Sequence, residues 1–180
     1  TDQGGLFFVD GPGGTGKTYL YRVLLATLRS QGKIAVATAT SGVAASIMPG
    51  GRTAHSRFKI PLTIDDGAVC SFTKQSGTAE LLRKASLIIW DEASMTKRQA
   101  VEALDNSMHD IMGRPELPFG GKTIVFGGDF RQVLPVVRKG SRAQVVASSL
   151  RMSYLWESMS HLNLVSNMRA KNDPWFAEYL

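Results

Sequence analysis

Gly11-Pro12-Gly13-Gly14-Thr15-Gly16-Lys17-Thr18 matches the phosphate-binding loop pattern G-x-x-x-x-G-K-[ST] at every defined position. Leu6-Phe7-Phe8-Val9 before it is a short apolar run, which predicts a buried strand. After it, Tyr19, Leu20, Val23, Leu24, Ala26, Thr27 and Leu28 recur at helical spacing, and Gly32 ends the pattern. The loop therefore lies between a strand and a helix. Four glycines, Gly11, Gly13, Gly14 and Gly16, let successive backbone N–H groups curl inward towards phosphate oxygens. The helix adds free N-terminal donors and the positive end of its dipole. Lys17 supplies a point charge for the β and γ phosphates, and the Thr18 hydroxyl suits Mg²⁺. A glycine-rich turn that matches by accident has odds of about one per cent in a chain of this length.

Working outward, three more apolar runs, 33–40, 86–90 and 122–126, predict buried strands, and Leu162-Asn163-Leu164 reads as a last strand. Between them fall amphipathic stretches. The clearest starts at Thr96, carries Val101, Leu104, Met108, Ile111 and Met112 on one face, and stops at Gly113. Glu80 to Lys84, Gln144 to Leu150 and Ser153 to Met159 read as shorter helices, and residues 53–80 read as a loop with short helical pieces. Strands alternating with helices predict an α/β fold, a P-loop domain with a parallel sheet covered by helices on both faces.

Ligands of such sheets bind beyond the C-terminal ends of the strands. Three of those ends carry polar chemistry: the loop, Asp91-Glu92 after Leu87-Ile88-Ile89-Trp90, and Asp129 to Gln132. An apolar strand delivering Asp91 towards Mg²⁺, with Glu92 beside it to deprotonate a water, is the second half of a nucleotide site. Asp91 and Glu92 as caps of the following helix are the plainer alternative. Gln132 is a neutral amide able to hold a water near the γ-phosphate; alone, it reads as an ordinary surface residue.

The 180 residues suffice for one domain with a sizeable core, and 43% apolar with 20% charged residues is the balance of a globular protein. No apolar run approaches the roughly eighteen residues of a membrane span, so no membrane association is expected. The single cysteine, Cys70, leaves no disulfide within the chain and no cysteine metal site. His55, His109 and His161 are too scattered to predict a metal centre. Net charge is +6, and acid-free basic stretches occur at Arg52 to Lys59 and from Phe130 to Trp156. Such stretches suit a polyanion such as nucleic acid, or form a solvated basic surface. The chain lacks a starting Met and ends in what reads as the opening of a helix, so it is expected to be a piece of a longer protein.

Taken in order, the motifs are the phosphate loop, Ala39-Thr40-Ser41-Gly42-Val43-Ala44-Ala45, Thr53-Ala54-His55-Ser56-Arg57-Phe58, Asp91-Glu92-Ala93-Ser94, Gly127-Gly128-Asp129-Phe130-Arg131-Gln132-Val133-Leu134-Pro135 and Leu164-Val165-Ser166-Asn167-Met168-Arg169. This set resembles the petite-integration-frequency (Pif-type) DNA helicases of superfamily 1, including those of plant Helitron-like elements. The resemblance implies an ATP-driven motor that unwinds DNA 5′-to-3′, in repair, recombination or telomere maintenance. It implies residues 1–180 as the first of two RecA-like domains, with ATP and Mg²⁺ as cofactors. Single-stranded DNA, duplex junctions and the second RecA-like domain would be the partners. The implied location is the nucleus, with the mitochondrion as the alternative. Residue by residue, it implies phosphate binding by Gly11, Gly13, Gly14, Thr15, Gly16, Lys17 and Thr18, metal binding by Thr18 and Asp91, and Glu92 as catalytic base. Gln132 would sense the γ-phosphate and Arg169 would contact it. Thr40, Ser41, His55 and Phe58 match stretches that contact single-stranded DNA. Phe58 suits base stacking beside Arg57 and Lys59 and suits a core position equally well.

The chain departs from the family pattern in two places. The Leu-Asn-x-x-Gln context of the family's adenine-reading glutamine is absent, and Gln3 lies too close to the strand for that role. A second RecA-like domain is not expected within residues 1–180, so this stretch alone is expected to bind nucleotide weakly and not to separate strands. A helicase remnant that keeps only nucleotide or DNA binding is the competing reading. A phosphate-loop kinase or GTPase is a weaker one, since no Asn-Lys-x-Asp guanine motif occurs.

Overall fold

The computed structural model describes residues 4–12, 16–131, 135 and 137–164. Among these residues six parallel strands form one sheet in the order β3-β2-β4-β5-β1-β6. They are β1 (Leu6–Asp10), β2 (Ile34–Ala39), β3 (Arg52–Thr53), β4 (Ala85–Asp91), β5 (Ile124–Gly128) and β6 (Met159–Asn163). The helices are α1 (Lys17–Ser30), α2 (Gly42–Ile47), α3 (Ala54–Phe58), α4 (Gly77–Lys84), α5 (Arg98–Met112) and α6 (Arg142–Ala147). Among the described residues no helix is long and apolar enough to cross a membrane.

Alternation along the strands sorts the core into two layers. Val9, Ala37, Ile89 and Val125 face α1 and α2, where Tyr21, Leu25 and Ala45 pack on them. Phe8, Ile88, Trp90 and Phe126 face the opposite side, against Phe58, Leu82, Val101, Leu104 and Met108 of α3, α4 and α5. The expected two-faced parallel sheet is thus present.

Several local expectations shift. In α1 the buried residues are Tyr21 and Leu25, with Tyr19 and Val23 each 42% exposed. Residues 19–25 are apolar almost all round apart from Arg22, so periodicity alone does not select the face. Arg22 and Arg29 then orient the helix, donating to the carbonyls of Ile47 and Pro49 at the end of α2. The helix expected from Ser153 to Met159 is instead a short 3₁₀ turn, Trp156–Ser158, followed by β6. The reason is competition. Ser153 and Tyr154 hydroxyls donate to the buried carboxylates Glu102 and Asp105 of α5. Residues 159–163 pair with the open edge of β1 in parallel, Leu6 opposite Met159. The long helix begins at Arg98 rather than Thr96, whose hydroxyl is used elsewhere.

Candidate nucleotide and DNA site

Because the sheet is all parallel, the ends of β1, β2, β4 and β5 open on one edge. This edge collects the phosphate loop, Thr40-Ser41, Asp91-Glu92 and Asp129. Of the loop residues, Gly13, Gly14 and Thr15 lie outside the described residues. Gly11 is buried and its N–H donates to Gly128 O at 3.3 Å, tying the loop to β5. Gly16 stands at the helix N-cap with φ 89°, a left-handed conformation that favours glycine. Lys17 opens α1, and its ammonium folds back to the carbonyls of Gly11 and, at 3.3 Å, Pro12.

Asp91 ends β4 with its carboxylate aimed at α1. Its Oδ1 accepts a 2.9 Å hydrogen bond from the Tyr21 hydroxyl. Burial pushes the Asp91 carboxyl above its ordinary range, and the Tyr21 bond and the Lys17 charge pull it partly back. Burial and the neighbouring carboxylates push the Tyr21 hydroxyl up, so it stays a donor. Tyr21 lies one helical turn beyond Thr18, which puts the hydroxyl and the Asp91 contact on one side of α1.

Two glycines of β5 make this arrangement fit. A Cβ on Gly127 would stand 1.6 Å from the Tyr21 hydroxyl oxygen, and one on Gly128 would stand 2.5 Å from Ser94 Oγ. Gly127→Ala is therefore expected to push Tyr21 off Asp91 and to destabilise the fold by about 1–3 kcal/mol. Urea unfolding checks this. Adding Tyr21→Phe should recover only part of the loss, because Tyr21 Cζ would still stand 2.8 Å from the new methyl.

Glu92 has a left-handed backbone, φ 56° and ψ 31°, which costs a non-glycine residue roughly 1–2 kcal/mol. Thr40 and Ser41 hold it there. Thr40 Oγ1 donates to Glu92 O at 2.7 Å, while the Thr40 N–H donates to Asp91 O at 3.0 Å. The Ser41 N–H and hydroxyl both donate to Glu92 Oε1, at 2.9 and 2.6 Å. Behind this pair, the buried Trp90 indole donates to Thr40 Oγ1 at 3.2 Å, and Thr96 Oγ1 lies 2.5 Å from the same oxygen.

The expected DNA-contacting residues divide. Thr40 and His55 line a cavity of about 220 Å³ with Leu62, Ile64, Thr96 and Lys97. Burial lowers the His55 pKa, favouring the neutral imidazole. Arg52 and Lys59 beside it are exposed. Phe58 is fully buried and packs on Trp90 with ring centroids 5.8 Å apart. It has no free face for a base, so the stacking expectation gives way to the core alternative. Gln132 and Arg169 lie outside the described residues. Asp129 precedes Gln132, and its Oδ1 accepts from the Arg131 backbone N–H at 2.9 Å and Arg131 Nε at 3.2 Å.

Residues 1–176 match the family model described as PIF1-like helicase. The chain belongs to the PIF1-like helicase family. Among curated PIF1-type relatives, Pif1 of Bdellovibrio bacteriovorus is 35% identical over 141 residues, which is 75% of this chain and 30% of that protein. Human PIF1 is 33% identical over 141 residues, 78% of this chain and 21% of that protein. The chain therefore spans less than a third of either. Its fold matches that of Bacteroides Pif1 solved with ADP-AlF3 and single-stranded DNA. The TM-score is 0.78 at 27% identity, over 99% of this chain and 42% of that one. The fold is thus the RecA-like domain expected from the motifs.

Sequence reasoning missed the side chains that support the acidic pair: Tyr21, which donates to Asp91, and Trp90 and Thr96, which meet the Thr40 hydroxyl. Only Tyr21 had a readable signal, its position one turn beyond Thr18 on a helix that packs on the sheet.

Proposed function

We propose that this domain is the first RecA-like half of an ATP-driven motor that moves on single-stranded DNA and separates duplexes. The observation that carries the reading is the single sheet edge that gathers Lys17, Asp91 and Glu92 beside Thr40, Ser41 and His55. Nucleotide chemistry and a nucleic-acid surface thereby share hydrogen bonds.

In this mechanism Lys17 and the loop N–H groups, including those of Gly13, Gly14 and Thr15, hold the β and γ phosphates. Thr18 and Asp91 offer the oxygen-only donor set that Mg²⁺ prefers, and Tyr21 orients the carboxylate towards the helix that carries Thr18. When bound, the ion would offset negative charge on the phosphates. Glu92 takes a proton from the attacking water. Gln132 and Arg169 have the chemistry to hold that water and to offset charge at the γ-phosphate. Thr40, Ser41 and His55 hold the sugar-phosphate backbone, with Arg52 and Lys59 adding positive charge. A second RecA-like domain of the same protein would close over the nucleotide. Following the family resemblance, the motor runs 5′-to-3′ and serves repair, recombination or telomere maintenance in the nucleus.

The test is ATP hydrolysis by the intact protein with and without an oligodeoxythymidylate, together with strand separation on a forked duplex. Hydrolysis stimulated by DNA is expected, falling about 100-fold or more in Lys17→Ala. Hydrolysis indifferent to DNA, or to the loss of Lys17, would overturn the reading.

A further inference from the structure

Ser41 meets the side chain of Glu92, whereas its neighbour Thr40 meets only the backbone of the acidic pair. The Ser41 hydroxyl has a single proton, and that proton is committed. It donates to Glu92 Oε1 at 2.6 Å, while the Ser41 oxygen accepts from the Ala44 N–H at 3.2 Å as the N-cap of α2. The Ser41 N–H donates to the same carboxylate oxygen at 2.9 Å. Two donors from one residue converging on one charged oxygen form a strong, directional restraint. It holds the Glu92 carboxylate against the end of β2.

We propose that Ser41 is a positioning residue that restrains Glu92 until DNA binds, so that a DNA phosphate and the Glu92 carboxylate compete for one hydroxyl proton. The proposal rests on the motor reading above, in which Ser41 meets the DNA backbone and Glu92 activates water. To donate to a phosphate, the Ser41 hydroxyl must leave Glu92. The arriving phosphate is also negative, and two like charges a few ångströms apart repel. Both effects act in one direction: DNA on Ser41 loosens Glu92, and the freed carboxylate turns to the water. Thr40 strengthens the coupling. It fixes the Glu92 backbone through its hydroxyl, so the side chain can swing while its anchor stays put. The left-handed backbone of Glu92 belongs to the same arrangement, because it directs the side chain towards Ser41.

The experiment measures ATP hydrolysis by the intact protein, without DNA and with saturating oligodeoxythymidylate, for wild type and three variants. Ser41→Ala removes the hydroxyl donor. It also removes the cap of α2, so Ser41→Asp serves as the second variant, since aspartate caps helices well yet repels Glu92. In both, the DNA-free rate is expected to rise roughly three- to tenfold, the range of the net contribution of a single ordinary hydrogen bond. The stimulation ratio should shrink accordingly. Ser41→Thr keeps the hydroxyl and should restore the wild-type ratio. A merely structural serine would lower both rates in parallel and leave the ratio unchanged. That result, or an unchanged DNA-free rate in Ser41→Asp, would overturn the proposal while leaving the motor reading intact. A wild type that DNA does not stimulate would overturn both.

Discussion

Glu92→Gln is expected to reduce DNA-stimulated ATP hydrolysis by about 10²–10⁴-fold, the contribution typical of a positioned general base. Nucleotide and DNA binding should change little. Glutamine is nearly isosteric, and its amide oxygen still accepts from Ser41 N and Oγ, the two bonds now at 2.9 and 2.6 Å. The left-handed turn at residue 92 rests on backbone contacts to Thr40 and Met95, which the substitution leaves in place. Steady-state hydrolysis separates the outcomes when read beside fluorescence titration of a labelled ATP analogue. A rate loss with intact binding supports Glu92 as the base. Equal loss of binding and rate would make it a structural residue. Full activity would move the base elsewhere on the edge.

Trp90→Ala is expected to cost about 3–5 kcal/mol, the range for a buried aromatic cut back to alanine. Trp90 is fully buried. It lies between Phe58, at 5.8 Å centroid separation, and Phe126, at 6.2 Å, and so bridges α3 to the middle of the sheet. It also ends the run that delivers Asp91, and its indole donates to Thr40 Oγ1. The substitution thus opens a cavity and removes a donor from the Thr40 cluster. Total stabilities are typically 5–15 kcal/mol, so the loss would remove a large share of the fold's stability. Denaturant unfolding measures the loss directly. A change under 1 kcal/mol would mean that Phe58 and Phe126 close over the gap.

These two residues also mark how much was legible beforehand. Asp91-Glu92 after an apolar run, downstream of a phosphate loop, is a local pattern. Its chemistry depends on a strand end, and strand ends show in a one-dimensional hydrophobic pattern. The same holds for β1, β2, β4 and β5, whose buried runs are continuous because helices cover both faces of the sheet. The α1 face was not legible, because Tyr19, Leu20, Tyr21, Val23, Leu24 and Leu25 leave too few polar positions to mark it. Nor was the stretch from Ser153 to Met159, expected as a helix. Glu102 and Asp105 of α5 draw in Ser153 and Tyr154, and the open edge of β1 takes Met159. Those partners are about 50 residues away or more, beyond any local propensity.

The sequence by itself determined the class of fold, the phosphate loop, the acidic pair and the family, because each is written in consecutive residues. The tertiary structure alone decided which side chains hold these groups in place. Tyr21 reaches Asp91 across 70 positions, through space left by Gly127. Ser41 reaches Glu92 across 51. Phe58 turns inward to Trp90 rather than outward to a base. The physical reason is common to all three. A hydrogen bond or a packed ring depends on where two strands end relative to each other, and the order β3-β2-β4-β5-β1-β6 is a property of the folded sheet, not of neighbouring residues.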